Sequence, residues 1–167
     1  MNEGIQDTII KKEGIDMIKE LVKKNNYLFM DEIADWKDAI KLSCYCLEKQ
    51  GSIDSSYATS IIESIHTYGP YIICMPNVAL PHFTQDNTGV YKTSVSFMKV
   101  NKPVSFEQHK TAQLFFTVAS CNALAHMHMM QQLFAIFSHP KAMHDLLQAT
   151  TANDLLQIDT KYFTRGK

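Results

Sequence analysis

A histidine that follows a rigid turn is the first candidate for chemistry in this sequence. The apolar run Tyr71–Cys74 comes directly after Gly69-Pro70 and predicts a short buried strand, which Pro76 ends. Pro81 fixes its own φ angle and restricts the residue before it, so the turn presents His82 in a defined direction. Because imidazole titrates near neutral pH, His82 is a candidate acid, base or nucleophile.

Two long segments of the chain contain no Asp, Glu, Lys or Arg, although 20% of the residues are charged. They run from Ser64 to Gln85 and from Thr111 to Pro140. Such gaps mark either buried segments or docking surfaces, and central strands plus a core helix explain most of these positions. Both segments also carry histidines, namely His66, His82, His126, His128 and His139.

The predicted helix of the second segment offers a partner for His82. Residues two apart on a helix point about 200° apart, so at most one of His126 and His128 faces a given site. His126 lies closer to the helix start, where the helix dipole favours an anion. Beside His82, it would place two imidazoles around one small anionic group. This arrangement suits phosphoryl transfer, with one histidine as the nucleophile and the other stabilising the developing charge.

A metal site is the alternative use of these histidines. Zinc needs three or four convergent ligands, and the sequence has no pair of histidines four residues apart on a predicted helix. His82, His126 and one acidic residue would form only a weak site. A metal-dependent hydrolase is the alternative function that such a site would imply. The sequence also lacks a magnesium motif and a glycine-rich phosphate loop, so we expect no metal and no nucleotide cofactor.

Composition narrows the class of protein. A chain of 167 residues with a net charge of −1 has room for one domain with a hydrophobic core and lacks the basic stripe of a nucleic-acid-binding protein. The N-terminus shows no signal-peptide pattern and the chain has no apolar run of about twenty residues, so we expect a cytoplasmic protein. We expect four cysteines to be apolar packing residues in a reducing compartment: Cys44, Cys46, Cys74 and Cys121.

The order of the predicted elements places these histidines in an α/β fold. Residues 2–25 predict one or two short amphipathic helices, and two longer helices begin at the N-cap candidates Asp35 and Asp54. Helices alternate with strands, which predicts a single-domain sandwich with a mixed β-sheet of about five strands flanked by helices. The predicted strands are 27–30, 71–74, 93–100, 103–106 and 112–119.

The helix that carries His126 has Ser120 or Asn122 as its candidate cap. It has a broad apolar surface, comprising Leu124, Met127, Met130, Leu133, Phe134 and Phe137. A final helix or pair of helices follows, with inward positions predicted at Met143, Leu146, Leu147, Leu155 and Leu156. We expect four histidines to lie at exposed positions: His66, His109, His139 and His144.

The segment Gly69-Pro-Tyr-Ile-Ile-Cys-Met-Pro-Asn-Val-Ala-Leu-Pro-His82 closely resembles a family signature. The family is the enzyme IIA component of the bacterial phosphoenolpyruvate-dependent sugar phosphotransferase system, mannitol/fructose type, and the ascorbate-specific branch is the most similar. The resemblance extends to Asp35-Trp-Lys-Asp-Ala-Ile40 and to Gly51-x-Ile-x-x-x-Tyr57. Residues 1–25 have no clear counterpart, so we expect a helical extension there and the IIA domain at residues 26–167.

The resemblance implies a role for each of the two histidines. In this family the histidine of the Leu-Pro-His tip, here His82, takes a phosphoryl group from the histidine phosphocarrier protein and passes it to a cysteine of the IIB component. His126 matches the second site histidine of the family. The implied function is uptake and phosphorylation of ascorbate or a related sugar, with IIB as the link to the membrane component IIC. The candidate docking surface for these partners comprises Met75, Phe83, Met127 and Met129.

The sequence departs from the family pattern at positions that surround the tip. Phe83-Thr84 stands where many relatives carry Ala-Arg, and Glu63-Ser64 stands where the mannitol branch carries an arginine. The leading alternative function is regulatory: a protein of the same fold, phosphorylated on His82, that controls a target instead of supplying a permease. Both a monomer and a homodimer are compatible with the sequence.

Overall fold

The structure is a computed structural model that describes residues 15–83 and 88–163. Contacts within the chain form two compact units, one comprising Asn26–His126 and the other the residues up to Asn25 together with those from Met127 onwards. The part of the predicted N-terminal helices that precedes residue 15 lies outside the described residues, as do Thr84 and most of the polar turn after it.

The described residues form six α-helices and five strands. The strands are β1 (Tyr27–Met30), β2 (Ile73–Met75), β3 (Asn77–Ala79), β4 (Ser94–Ser105) and β5 (Thr111–Ala119). The helices are α1 (Met17–Lys23), α2 (Trp36–Lys49), α3 (Ser55–Tyr68), α4 (Ala123–Phe137), α5 (Pro140–Gln148) and α6 (Ala152–Ile158).

The unit Asn26–His126 is built on one mixed sheet. Its strand order is β1-β4-β5-β3-β2. β1 pairs in parallel with β4, and β3 with β5, whereas the β4–β5 and β2–β3 pairs are antiparallel. The prediction of an α/β fold with a mixed sheet of about five strands is therefore confirmed.

Two helices of this unit pack together with one face of the sheet. α2 and α3 each carry an apolar stripe at helical spacing, and burial of these stripes removes them from water. The stripes and the sheet residues share one buried cluster, which includes Ile40, Cys44, Leu47, Tyr57, Ile61, Ile65, Met98 and Phe115. This cluster is the hydrophobic core beneath the turn that carries His82.

The predicted helix caps are present in this unit. The side chain of Asp35 accepts a hydrogen bond from the Lys37 N–H at 2.7 Å, and that of Asp54 accepts one from the Ser56 N–H at 2.9 Å. α3 ends at Gly69, whose φ of 82° lies in the left-handed region that glycine adopts without strain. Both helix starts were therefore correctly located from the sequence.

The second unit contains α1, α5 and α6. The Ile15 N–H donates to the Phe163 carbonyl at 3.3 Å, and α6 begins with a capping box between Thr151 and Asp154. His139 was predicted to be exposed, but it is partly buried. Its Nδ1 accepts a hydrogen bond from the Ala142 N–H at the start of α5. The ring of His139 also packs against the rings of Tyr162 and Phe163.

Two predicted strands differ from those observed. The strand predicted at 71–74 was expected to end at Pro76, and β3 was not predicted: it follows that proline directly and pairs with both β2 and β5. The predicted strand at 103–106 is the end of β4. Pro103 lies within a register shift between Lys99 and Val104, where the pairing of β4 with β5 is interrupted. Because no regular ladder hydrogen bond is formed there, the missing N–H of the proline is tolerated.

Several apolar residues of α4 and α6 are exposed. On α4, Leu133 and Phe137 are buried, but Leu124 is 62% exposed, Met127 49% and Phe134 48%. Leu156 on α6 is 39% exposed, so its predicted inward position is wrong. Cys74 is exposed, so its predicted packing role is wrong, whereas Cys44 is buried as predicted. Apolar character alone did not separate core positions from surface positions in these segments.

Candidate functional site

β3 leads directly into the turn that carries His82. The turn is held on both sides, because the Leu80 N–H donates to the Ile72 carbonyl at 2.7 Å and the Val118 N–H donates to the Pro81 carbonyl at 3.0 Å. β3 and β5 are parallel, so their carboxyl ends lie at the same edge of the sheet. This topology places the segment that follows β5 beside His82.

The His82 ring is fixed by its own turn. Its Nδ1 lies 2.5 Å from the Leu80 carbonyl oxygen, which is an acceptor, so Nδ1 carries the proton and donates it. In this tautomer Nε2 bears the lone pair, and no described residue is hydrogen-bonded to it. The backbone thus presents a neutral imidazole with Nε2 available as the nucleophile.

His126 is brought to His82 by the start of α4. Of the two candidate caps, Asn122 is the one observed: its Oδ1 accepts a hydrogen bond from the Ala125 N–H at 2.9 Å. The centroids of the His82 and His126 rings are 6.3 Å apart. Ser120 has a different role, because its Oγ lies 3.3 Å from Nδ1 of His126. The two imidazoles therefore share one site, and Ser120 contacts the second of them.

Two tyrosines that the sequence analysis did not assign to the site contact the turn. The Tyr71 hydroxyl donates to the His82 carbonyl at 2.6 Å, and the Tyr71 ring meets the His82 ring edge-on at a centroid distance of 5.4 Å. The Tyr57 hydroxyl accepts a hydrogen bond from the Phe83 N–H at 3.2 Å. Tyr57 was noted from the sequence as part of the family resemblance, and no sequence signal distinguished its hydroxyl from those of other tyrosines.

The segments that build this site carry no formal charge. Residues 64–83 and 111–126 contain no Asp, Glu, Lys or Arg, and the only arginine of the chain, Arg165, lies outside the described residues. Within these segments the groups that can oppose negative charge are imidazoles, hydroxyls, side-chain amides and backbone N–H groups. A phosphoryl group here would depend on them and on cations that a partner supplies.

The other predicted histidines lie apart from this site. His66 is exposed and contacts the Trp36 ring and the Glu107 carboxylate, and His109 and His128 are also exposed. Within residues 15–83 and 88–163, no group of three His, Cys, Asp or Glu side chains is arranged to hold a metal ion. The metal-dependent hydrolase alternative therefore has no ligand set in the described part of the chain.

The predicted docking surface is only partly exposed. Met127 is 49% exposed, but Met75, Phe83 and Met129 are each partly buried, and Phe83 packs against the hydrophobic core. Tyr71 is the exposed apolar group that contacts the site: it is 37% exposed, and its ring lies 5.4 Å from the His82 ring, centroid to centroid. Tyr71, rather than Met75 and Phe83, offers an exposed apolar contact at the site.

The surroundings of His82 predict its pH dependence. Burial lowers the pKa of His82, the Leu80 carbonyl opposes this shift, and the nearby His126 lowers the pKa further. Neutral His82 therefore persists to lower pH than a free imidazole, whose pKa is about 6.5. In the unfolded chain His82 becomes protonated at a higher pH than in the folded chain. Its contribution to stability is therefore complete above about pH 6.5 and is lost as the pH falls towards the pKa of the folded state.

An NMR titration of His82 in the isolated protein checks this expectation. The midpoint should lie below about 6.5. In the variant His126→Gln it should move upwards, because the electrostatic contribution of the second imidazole is removed. The variant His128→Gln is the matched control and should leave the midpoint unchanged. A wild-type midpoint above that of a free imidazole would contradict the prediction.

Two imidazoles lie together at the carboxyl ends of the parallel strands, and Nε2 of His82 is hydrogen-bonded to no described residue, which suits histidine-based phosphoryl transfer. The chain belongs to the family described as phosphoenolpyruvate-dependent sugar phosphotransferase system, EIIA 2, whose model matches residues 20–161. It is therefore a phosphotransferase component that carries a phosphoryl group. The resemblance identified from the sequence is confirmed.

Two curated relatives align with more than four fifths of this chain. The ascorbate-specific PTS system EIIA component of Mycoplasma pneumoniae is 28% identical over 143 residues, which are 84% of this chain and 89% of the relative. The component of the same name from Salmonella choleraesuis is 25% identical over 141 residues, which are 83% of this chain and 91% of the relative. The similarity to the ascorbate-specific branch therefore extends well beyond the signature segment.

Solved structures share the fold. The crystal structure of a PTS IIA (PtxA) from Streptococcus mutans has a TM-score of 0.78 and 27% identity, and the match covers 89% of this chain and 94% of that one. The Escherichia coli complex of mannitol enzyme IIA with phosphorylated enzyme IIB has a TM-score of 0.69 and 20% identity, covering 81% and 94%. At that identity the likeness to the mannitol protein concerns the fold alone. No helix in the described part of this chain has the length and apolar character that a membrane span requires.

Proposed function

We propose that this chain accepts a phosphoryl group on Nε2 of His82 from the histidine phosphocarrier protein and passes it to the cysteine of a IIB component. The observation that carries the proposal is the hydrogen bond between His82 Nδ1 and the Leu80 carbonyl, which leaves Nε2 as the nucleophile beside a second imidazole. The 25% and 28% identity to ascorbate-specific relatives supports ascorbate or a related sugar as the substrate of the system.

The acceptance step follows from the tautomer of His82. The Nε2 lone pair attacks phosphorus while the bond from phosphorus to the donor nitrogen breaks, and that electron pair returns to the donor imidazole. The His82 ring gains positive charge as the new bond forms. Its Nδ1–H remains donated to the Leu80 carbonyl, which stabilises this charge. No proton has to leave Nδ1 during transfer.

His126 stabilises the charge on the phosphoryl oxygens. When the Ser120 hydroxyl donates to Nδ1 of His126, the proton of the neutral ring is on Nε2, which can donate to a phosphoryl oxygen. Transfer to IIB reverses the sequence: a cysteine thiolate attacks phosphorus, and the electron pair of the P–N bond returns to His82 Nε2. IIB and the phosphocarrier supply Arg or Lys around the uncharged rim, where Tyr71 offers an apolar contact.

The function is tested by mapping the label. The protein is incubated with phosphoenolpyruvate, enzyme I and the phosphocarrier, and the phosphopeptide is identified under basic conditions that preserve phosphohistidine. We expect one acid-labile phosphate, on His82. Label on another histidine would contradict the proposed nucleophile.

The acceptor is tested with the labelled protein. IIB components of an ascorbate and a mannitol system are offered in parallel, and faster loss of label to the ascorbate IIB is expected. Faster transfer to the mannitol IIB would contradict the proposed substrate. Stable label in the presence of both acceptors would favour the regulatory alternative.

A further inference from the structure

We propose that Tyr57 and Tyr71 act together as positioning residues that clamp the peptide group joining His82 to Phe83. The Tyr71 hydroxyl donates to the carbonyl of this peptide group at 2.6 Å, and the Tyr57 hydroxyl accepts from its N–H at 3.2 Å. Both polar ends of a single peptide unit are thus held by tyrosine side chains. The inference rests on the proposed function, because it concerns the orientation of the proposed nucleophile.

The two hydroxyls hold the peptide group from opposite sides. A trans peptide is planar, with its carbonyl and N–H pointing in opposite directions, so two such bonds restrict its rotation about the adjacent single bonds. Without these two hydrogen bonds, rotation about the Cα–C bond of His82 would reorient this peptide group. Neither bond belongs to a helix or strand ladder, so the side chains replace the support that regular structure gives elsewhere.

Tyr57 connects this peptide group to the sheet. Its side chain is 2% exposed, and its hydroxyl donates to the Val118 carbonyl at 2.6 Å while it accepts from the Phe83 N–H. The N–H of the same Val118 donates to the Pro81 carbonyl at 3.0 Å. One residue of β5 is therefore bonded to both sides of His82, directly through Pro81 and indirectly through Tyr57. The strand that leads to His126 also sets the position of His82.

Tyr71 holds the other end of the peptide from the surface. It begins the apolar run that leads into β2, and its ring lies edge-on against the His82 imidazole. Burial raises the pKa of Tyr71 to about 12, although a hydrogen bond with Ser64 opposes this shift, and burial also raises the pKa of Tyr57. Both hydroxyls therefore stay protonated near neutral pH and remain donors to their carbonyls.

The clamp serves the attack geometry. The hydrogen bond from Nδ1 to the Leu80 carbonyl sets the tautomer but leaves the backbone after His82 unrestrained. With the next peptide also fixed, Nε2 keeps its position relative to His126 and to an incoming phosphoryl group. Because a displacement of about 1 Å can reduce a rate by about a hundred-fold, loss of either hydroxyl should slow transfer.

The test uses the full chain and the variants Tyr57→Phe, Tyr71→Phe and the double variant. Phosphorylation rates are measured with the phosphocarrier and with phosphoramidate, a small phosphoryl donor that needs no docking surface. Each single variant should accept phosphate about ten- to a hundred-fold more slowly with both donors. Because both tyrosines restrain one peptide group, the double variant should be slowed by clearly less than the product of the single effects.

Two control variants report on the loss of a tyrosine hydroxyl elsewhere. Tyr162→Phe removes a hydroxyl that donates to Asp145 at 2.7 Å, and Tyr45→Phe removes one on the exposed surface of α2. Both should phosphorylate at the wild-type rate. Thermal unfolding of every variant shows whether the assay temperature lies in the folded range. Should Tyr57→Phe unfold there, the partly exposed Tyr71→Phe still tests the clamp.

A readout without any donor separates positioning from general stability. The ¹⁵N shifts of the His82 imidazole should show the Nδ1–H tautomer in the wild type and should change in the tyrosine variants, because release of the peptide group loosens the hydrogen bond from Nδ1 to the Leu80 carbonyl. Unchanged shifts together with unchanged rates, or single effects that multiply in the double variant, would overturn the clamp. Failure of the wild type to label His82 would instead overturn the proposed function, so the two failures are distinguishable.

Discussion

Replacement of His82 by alanine or asparagine is expected to abolish phosphoryl acceptance. The Nε2 lone pair is the proposed nucleophile, and neither variant retains it. Asparagine is the sharper change, because its side-chain amide can keep a donor to the Leu80 carbonyl and so preserve the hydrogen bond within the turn. Labelling from phosphoenolpyruvate through enzyme I and the phosphocarrier should fall to background in both variants.

The matched control for His82 is His66→Ala. His66 lies in the same charge-free segment, but it is exposed and contacts Trp36 and Glu107 instead of the site. This variant should label like the wild type. Label that persists in a folded His82→Asn protein at the wild-type level would show that another residue accepts the phosphoryl group.

Much of the site was predictable because its position depends on local signals. Pro81 and the β-rich run before it indicated a rigid turn, and the start of the late helix indicated an anion-facing His126 in preference to His128. Asp35 and Asp54 located the starts of two helices because their cap hydrogen bonds involve residues close in sequence. Such signals need no knowledge of the tertiary structure.

The features that sequence analysis missed depend on long-range contacts. β3 is three residues long and follows Pro76 directly, and it is a strand only because β2 and β5 pair with it. Tyr57 lies 61 residues from Val118 in the chain, and its hydroxyl gains a role only when β5 ends beside it. In the same way, Leu124 and Leu133 are both leucines of α4, yet one is 62% exposed and the other is fully buried. Residue type and spacing do not encode these differences.

The second large effect is expected for His126→Ala, which should accept a phosphoryl group but pass it on poorly. The stability of the phosphohistidine at His82 sets the extent of labelling, and this depends mainly on the His82 turn. The rate depends on the charge that develops on the phosphoryl oxygens as the P–N bond breaks, and His126, whose ring centroid is 6.3 Å from that of His82, can donate a hydrogen bond to them.

Loss of one such donor typically lowers a rate by about a hundred- to a thousand-fold, and onward transfer to IIB should fall by that order. Single-turnover loss of label from His82 to IIB measures it. The variant His128→Ala is the matched control, since this residue lies two positions further along α4 and is exposed. Ser120→Ala should give a smaller loss, because it removes only the group that contacts Nδ1 of His126 and leaves the imidazole in place. Unchanged onward transfer in His126→Ala would remove His126 from the site, and equal losses in His126→Ala and His128→Ala would indicate a docking effect of the helix instead of charge stabilisation by one imidazole.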